Sequence, residues 1–365
     1  MITRKTFVNA IIITLINAFI FGLAFLVANW AADRRMPATR AQFMTKEEAA
    51  FYRKYAAQTN HLREPQFLMH LPPEIKGTMT DFLYTRIGNG RKTVLIQGDS
   101  WAEQFVTSLG SYVALEGYAD ANDVTFVAAG IASFAPSPMA VQYRILKKDF
   151  GINPGVVIAI IDQTDVADET CRYRKQLAQD SHGNAIVKPY DPDDAQPYSI
   201  LPYLDQIDIL DEDHSALVRL IKYKLKKLIP INPAGCSYEQ VVAPMKGKLT
   251  EEEHAYFVGR LQNYIDTVFD QSDPGMRLLF VTHYHRGHLT GEYSNSVATL
   301  VRETIGQSEF SSRIALVDFA PGDYGSAGID DVFQSGDPWS HLTAAAHRRT
   351  YTQKILAKLT TLMSD

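Results

Sequence analysis

The first pattern along the chain is an uncharged one. Residues 7–32 contain no Asp, Glu, Lys or Arg and are dominated by Ile, Leu, Phe and Ala. A helix of about 20 apolar residues crosses a bilayer core, so this run predicts a transmembrane anchor. Trp30 would sit at its interface and Asp33-Arg34-Arg35 would close it. A cleaved leader needs a small-x-small site, which Asn29-Trp30-Ala31 does not supply. Residues 33–90 read as a stalk. Thr45-Lys46-Glu47-Glu48 opens a helical stretch to Tyr55, Pro65, Pro72 and Pro73 interrupt the pattern, and Gly88-Asn89-Gly90 makes a turn.

Beyond that turn, short apolar runs alternate with amphipathic stretches. The runs 94–97, 124–128, 156–161, 277–282 and 314–319 predict five strands, and the third, apolar throughout, predicts burial on both faces. Helices are predicted over 101–115, 137–150, 251–269, 296–305 and 342–363, the third of them opened by a capping box at Thr250. Strands separated by helices predict an α/β fold with a doubly wound parallel sheet and ligands at the strands' carboxyl ends. Residues 171–250 exceed what a crossover needs and predict an insertion after the third strand. Within it, residues 180–197 form an exposed loop or small hairpin. Residues 217–229 form a helix with Leu217, Leu220, Ile221, Leu225 and Leu228 on one face and Arg219, Lys222, Lys224, Lys226 and Lys227 around the rest. That basic surface is either simply solvated or lies near anionic lipid or an acidic glycan.

Composition narrows the partners. A net charge of -5 over 365 residues gives no basic field, so nucleic acid is not expected. Two cysteines, Cys171 and Cys236, are too few and too far apart for a zinc site, which leaves a disulfide or two buried thiols. The amino terminus is expected in the cytoplasm, with the body on the extracytoplasmic side of the plasma membrane.

The candidate chemistry begins at Gly98-Asp99-Ser100, where the first predicted strand runs straight into a helix. A serine there sits at the sheet edge, next to backbone N–H groups that can face a developing negative charge. By itself the tripeptide reads first as a helix cap, and only the blocks that follow it favour a nucleophile. Further blocks follow: Gly130 after the second strand, Pro154-Gly155-Val156-Val157-Ile158 leading to Asp162-Gln163-Thr164-Asp165 after the third, and Asp337-Pro338-Trp339-Ser340-His341 before the last helix.

In these four blocks the sequence resembles the SGNH (GDSL-type) hydrolases, in particular membrane-anchored bacterial members that act on polysaccharide O-acetyl groups. The resemblance covers about residues 90–360 and implies a flavodoxin-like sheet. It implies Ser100 as nucleophile, His341 as base and Asp337 as the acid that orients it. Oxyanion donors would be the N–H groups of Ser100 and Gly130, with Thr164 or Gln163 in place of the family's Asn. Asp337 stands four residues before His341, where the family has three. Trp101, Asp162, Asp165, His283 and Trp339 are expected to line the substrate site. No cofactor or metal is implied, since His283-Tyr284-His285-Arg286-Gly287-His288 has no carboxylate or Cys beside it in sequence. The function implied is a serine esterase or O-acyl (acetyl) transferase on an acylated carbohydrate, an exported polysaccharide, with polysaccharide-export proteins as partners. The alternatives are a non-catalytic glycan-binding or scaffold module and a lipid esterase. The expected organisation is therefore 1–6 cytoplasmic, 7–32 anchor, 33–90 stalk and 91–365 hydrolase-like domain.

Overall fold

The computed structural model describes residues 4–33, 84–174, short pieces between 177 and 221, and most of 238–364. The chain divides into two compact units, Met1–Gln42 with Gln196–Ile231, and Phe43–Ala195 with Asn232–Asp365.

In the first unit the uncharged run forms one 30-residue helix, α1 (Arg4–Asp33). Its described side chains begin at Ile16, and Phe19, Phe21 and Leu26 are exposed. Among the described residues no helix is long and apolar enough to cross a membrane. The Leu217 N–H donates to Asn29 Oδ1 of α1 at 3.0 Å. Of the expected basic helix 217–229, Leu217, Val218 and Ile221 are helical and the rest lies outside the described residues, as do the predicted helix at Thr45 and Cys236.

The second unit is built on a sheet. Its strands are β1 (Thr85–Ile87), β2 (Lys92–Gln97), β3 (Val124–Ala128), β4 (Val156–Ile161), β7 (Arg277–Thr282) and β8 (Ile314–Asp318), in the order β1-β3-β2-β4-β7-β8. A small antiparallel hairpin, β5 (Leu177–Gln179) with β6 (Ala185–Val187), lies within the insertion. The sheet thus has six strands rather than the five expected. The extra one, β1, pairs antiparallel with β3, so the sheet is mixed. Three residues with one buried side chain show no alternation to read, which is why the strand was counted with the stalk. The five parallel strands keep the doubly wound order.

The helices divide between the two faces. On one side lie α2 (Ser100–Thr107), α3 (Leu109–Asn122) and α7 (Gln353–Ser364); on the other lie α4 (Pro136–Phe150), α5 (Glu251–Asp270) and α6 (Val297–Gln307). Strand β4 shows why this works. Val156, Ile158 and Ile160 pack into the first layer, and Val157, Ala159 and Ile161 into the second, as the two-residue period of a strand requires. Two predicted helices are interrupted. The helix expected over 101–115 breaks at Ser108, which has an extended backbone and begins α3. The sequence Thr107-Ser108-Leu109-Gly110 has low helix propensity at three of its four positions. The last helix contains a wide turn, His347–Thr352, before α7.

That turn buries His347 under Phe105 and Tyr351, with Nδ1 2.6 Å from Ser111 Oγ. Burial holds its imidazole neutral down to about 3. The unfolded chain binds that proton near the ordinary histidine value, so the stability His347 contributes is complete above about pH 6.5 and is lost as pH falls toward 3. At pH 5 the loss is about 2 kcal/mol. Urea unfolding of wild type and His347→Gln at pH 7 and pH 5 should show a weaker pH dependence in the variant by about that amount. Parallel pH dependences would rule the effect out.

Candidate active site

The site is assembled where β2 ends. Gly98 adopts φ +143, and a Cβ there would lie 2.6 Å from the Ile160 carbonyl oxygen. The chain then turns at Asp99, whose carboxylate accepts the Trp101 N–H at 2.9 Å and caps α2. With the cap supplied by Asp99, Ser100 becomes the first helical residue and its hydroxyl is released from capping. It lies 2.7 Å from His341 Nε2 and 3.3 Å from Asp99 Oδ2. His341 Nδ1 lies 2.5 Å from Asp337 Oδ2, which also accepts the His341 backbone N–H at 3.2 Å. Ser100, His341 and Asp337 therefore form one hydrogen-bonded row.

The last block is held from several sides. Gln334 donates its backbone N–H to the His341 carbonyl at 2.9 Å and its side-chain amide to the Leu342 carbonyl at 2.9 Å. Ser340 carries φ +57, unusual for a residue with a side chain, and its hydroxyl accepts the Arg286 N–H at 3.1 Å. The Arg286 side chain reaches Asp330 at 2.9 Å. These supports were not singled out from the sequence. Only the place of Arg286 in the histidine-rich stretch gave a signal.

The N–H groups flanking Gly130 are spent: Ala129 donates to the Ile96 carbonyl and Ile131 to the Gly98 carbonyl. Among the described residues no acceptor meets the N–H of Gly130 or of Ser100. The two expected side-chain donors are committed elsewhere. Gln163 gives its amide to the His283 carbonyl at 2.5 Å and to Ser296 Oγ at 3.2 Å, and its oxygen accepts the Val297 N–H at 2.9 Å. It forms a wall of a separate cavity of about 380 Å³ lined also by Val166, Met245, Leu249 and His254. Thr164 gives its hydroxyl to Asp162.

Most of the residues expected to line the substrate site are core instead. Trp101 and His283 are fully buried and stacked on each other, ring centres 3.3 Å apart. Asp162 and Asp165 are buried, Asp165 accepting the Asp162 N–H at 3.0 Å. Trp339 lies outside the described residues. The physical reason is position: these residues begin just past the strand ends, where the covering helices close over them. The histidine stretch also meets the carboxylate it lacked in sequence. Asp162, from the end of β4, lies 2.6 Å from His285 Nε2 and 3.3 Å from His283 Nε2.

Burial drives the electrostatics here. It raises Asp162, but the two histidines and the Thr164 hydroxyl outweigh it and hold the carboxyl well below the usual range. Burial, then repulsion from neighbouring carboxylates, pushes Asp99 and Asp165 well up. Burial also takes His283 down to about 3, with Asp162 opposing.

No protein-family model and no curated protein matches the chain. Solved structures with a similar backbone include three hydrolases. An alpha/beta hydrolase enzyme from the metagenome of Lake Arreo, Spain, has a TM-score of 0.38 and 12% identity, over 75% of this chain and 97% of that one. A catalytic mutant of an acetylxylan esterase from Geobacillus stearothermophilus has a TM-score of 0.38 and 12% identity, over 74% and 95%. A lipase/acylhydrolase from Enterococcus faecalis has a TM-score of 0.37 and 10% identity, over 73% and 96%. At that level of likeness the site itself has to carry the chemistry.

Gly130 offers a direct check on the site's geometry. A Cβ there would lie 2.4 Å from the Ala102 carbonyl carbon and 2.4 Å from the Glu103 nitrogen. Backbone cannot step aside as a flexible side chain can, so Gly130→Ala should cost about 1–3 kcal/mol in urea unfolding. An unchanged midpoint would mean that β3 and α2 do not approach this closely.

Proposed function

We propose that the protein is a serine esterase or O-acyl (acetyl) transferase of the SGNH type, acting on an acylated carbohydrate through an acyl-enzyme. The observation that carries this reading is the row Ser100 Oγ–His341 Nε2 at 2.7 Å and His341 Nδ1–Asp337 Oδ2 at 2.5 Å. A serine is a weak nucleophile unless a base takes its proton, and the base works best when a carboxylate fixes its tautomer and stabilises its charged form.

In the proposed reaction Ser100 Oγ attacks the ester carbonyl carbon while its proton passes to His341 Nε2. The carbonyl oxygen gains the negative charge, which in this reading the N–H groups of Ser100 and Gly130 receive. Collapse breaks the ester C–O bond, and the departing alkoxide takes the proton from His341. Water or a sugar hydroxyl then gives its proton to His341, attacks the acyl carbon and releases Ser100 as the proton returns. Two backbone donors, with Gln163 and Thr164 engaged elsewhere, favour a slower and more selective catalyst than one with three. Loss of one such donor costs about 10²–10³ in rate.

The substrate and setting belong to the same proposal. The uncharged run 7–32 and the exposed apolar side chains of α1 favour attachment to the plasma membrane. Cys171 is disulfide-bonded, which fits an oxidising compartment outside the cytoplasm. An exported, acetylated polysaccharide, handled beside its export proteins, is the substrate this placement favours.

Full-length protein should release p-nitrophenol from p-nitrophenyl acetate, and Ser100→Ala should lower the rate by about 10³-fold or more. Equal rates would remove the esterase reading and leave the non-catalytic module. Asp337→Asn keeps the shape and loses the charge, so its rate should fall by about 10²–10⁴-fold. A fall of less than about threefold would take Asp337 out of the acid role.

A further inference from the structure

We propose that His283, His285 and Asp162 bind a divalent transition-metal ion of the zinc class behind the Ser100 site, with water as the fourth ligand. The chain brings two imidazoles together by a simple rule. In extended backbone, residues two apart share a face, and His283 and His285 follow directly on β7 (Arg277–Thr282). Strand β4 lies beside β7 in parallel register, with Ile161 opposite Thr282, so Asp162 leaves its strand level with His283. One ligand atom from each of Asp162, His283 and His285 lies within 4.8 Å of the others, and all three residues are buried.

One feature separates this cluster from an ordinary buried ion pair. His283 is fully buried, yet neither ring nitrogen has a hydrogen-bond partner, and Nε2 faces Asp162 Oδ1 at 3.3 Å. Buried imidazole nitrogens normally find a partner, because leaving them bare costs the desolvation of the group. The bare Nε2 of His283, beside Asp162 and His285, is what a bound cation would satisfy.

The distances suit a small ion. Four ligands at about 2.0–2.1 Å in a tetrahedron stand about 3.3 Å from one another. The Asp162–His283 separation of 3.3 Å already matches. His285 Nε2, now 2.6 Å from the same oxygen, would have to open by less than about 1 Å. Two imidazoles with one carboxylate oxygen select zinc-class ions over magnesium or calcium, which prefer all-oxygen sites. The ion would tie the ends of β4 and β7 together beneath Trp101, which stacks on His283.

Full-length protein stripped with a chelator and dialysed against Zn²⁺ should retain about one equivalent, and Mg²⁺ should not displace it. Ser100→Ala should retain the same amount, so the result is independent of whether the serine is catalytic. The double variant H283Q/H285Q should retain none, whereas His254→Gln, which alters a histidine paired with Glu303 on the surface, should retain it all. Co²⁺-loaded wild type should show visible bands of four-coordinate cobalt and should melt at a higher temperature than the stripped protein. Failure of wild type to hold Zn²⁺, or full retention by the double variant, would overturn the site. If the double variant does not fold, the wild-type cobalt spectrum decides alone, and a featureless spectrum counts against it.

Discussion

The edge of the sheet that carries Ser100 depends on how closely three backbones approach one another at the end of β2. Gly98 lies against the Ile160 carbonyl of β4, and Gly130 lies against the first turn of α2. A Cβ at either place would meet backbone within 2.6 Å. With both side chains absent, the helix start can sit directly over the strand ends. Its first residue, Ser100, and the N–H of Gly130 then lie at the same edge of the sheet. A buried amide network holds this edge from below. Gln97 donates to the Met139 carbonyl and to Gln142, accepts from Tyr264, and Gln142 in turn donates to the Ala129 carbonyl. Three segments, α4, α5 and the residue after β3, are thereby tied to the residue preceding Gly98, and fully satisfied buried networks of this kind fix geometry as much as they add stability.

Immediately behind the serine the fold accepts a costly feature. Asp99, Asp162, Asp165 and Asp168 are all buried within one short stretch of space, and Trp101, His283 and His285 close it from the other side. Unpaired buried carboxylates are strongly unfavourable. The structure answers part of that cost with the imidazoles on Asp162 and with the N-cap role of Asp99. Burial, then repulsion within the cluster, raises Asp99 and Asp165. The part not answered by hydrogen bonds at His283 is what the proposed cation would satisfy.

The parallel core was legible in the sequence because apolar runs such as 156–161 can only be strands buried on both sides, and the helices between them fix the winding. The row Ser100, His341 and Asp337 was legible as order along the chain. What pattern could not show was depth. Trp101, Asp162, Asp165 and His283 stand at the expected sheet edge, but they are buried there rather than open to solvent. Nor could sequence spacing show that Asp162 meets His283 and His285, because their proximity comes from the register of β4 with β7 across 121 residues of chain. The three-residue β1 and the break at Ser108 were missed for the opposite reason, since each is too local to leave a period.

The four-residue separation of Asp337 and His341 can now be given a physical account. An extra residue between an acid and the base it orients would ordinarily turn one of them away. Here Ser340 takes up the excess by adopting φ +57, which reverses the chain just before His341. That backbone costs about 1–3 kcal/mol where no glycine relieves it, so something must hold it. The Arg286 N–H bonds to the Ser340 hydroxyl, and the Gln334 backbone bonds to the His341 carbonyl. With the loop pinned at both points, Asp337 Oδ2 meets the backbone N–H and the ring Nδ1 of His341 together. The imidazole is thus fixed in position and tautomer by one carboxylate oxygen, with Nε2 turned toward Ser100. The four-residue spacing is therefore compatible with an imidazole held against Ser100, and the strain that makes it so sits on Ser340.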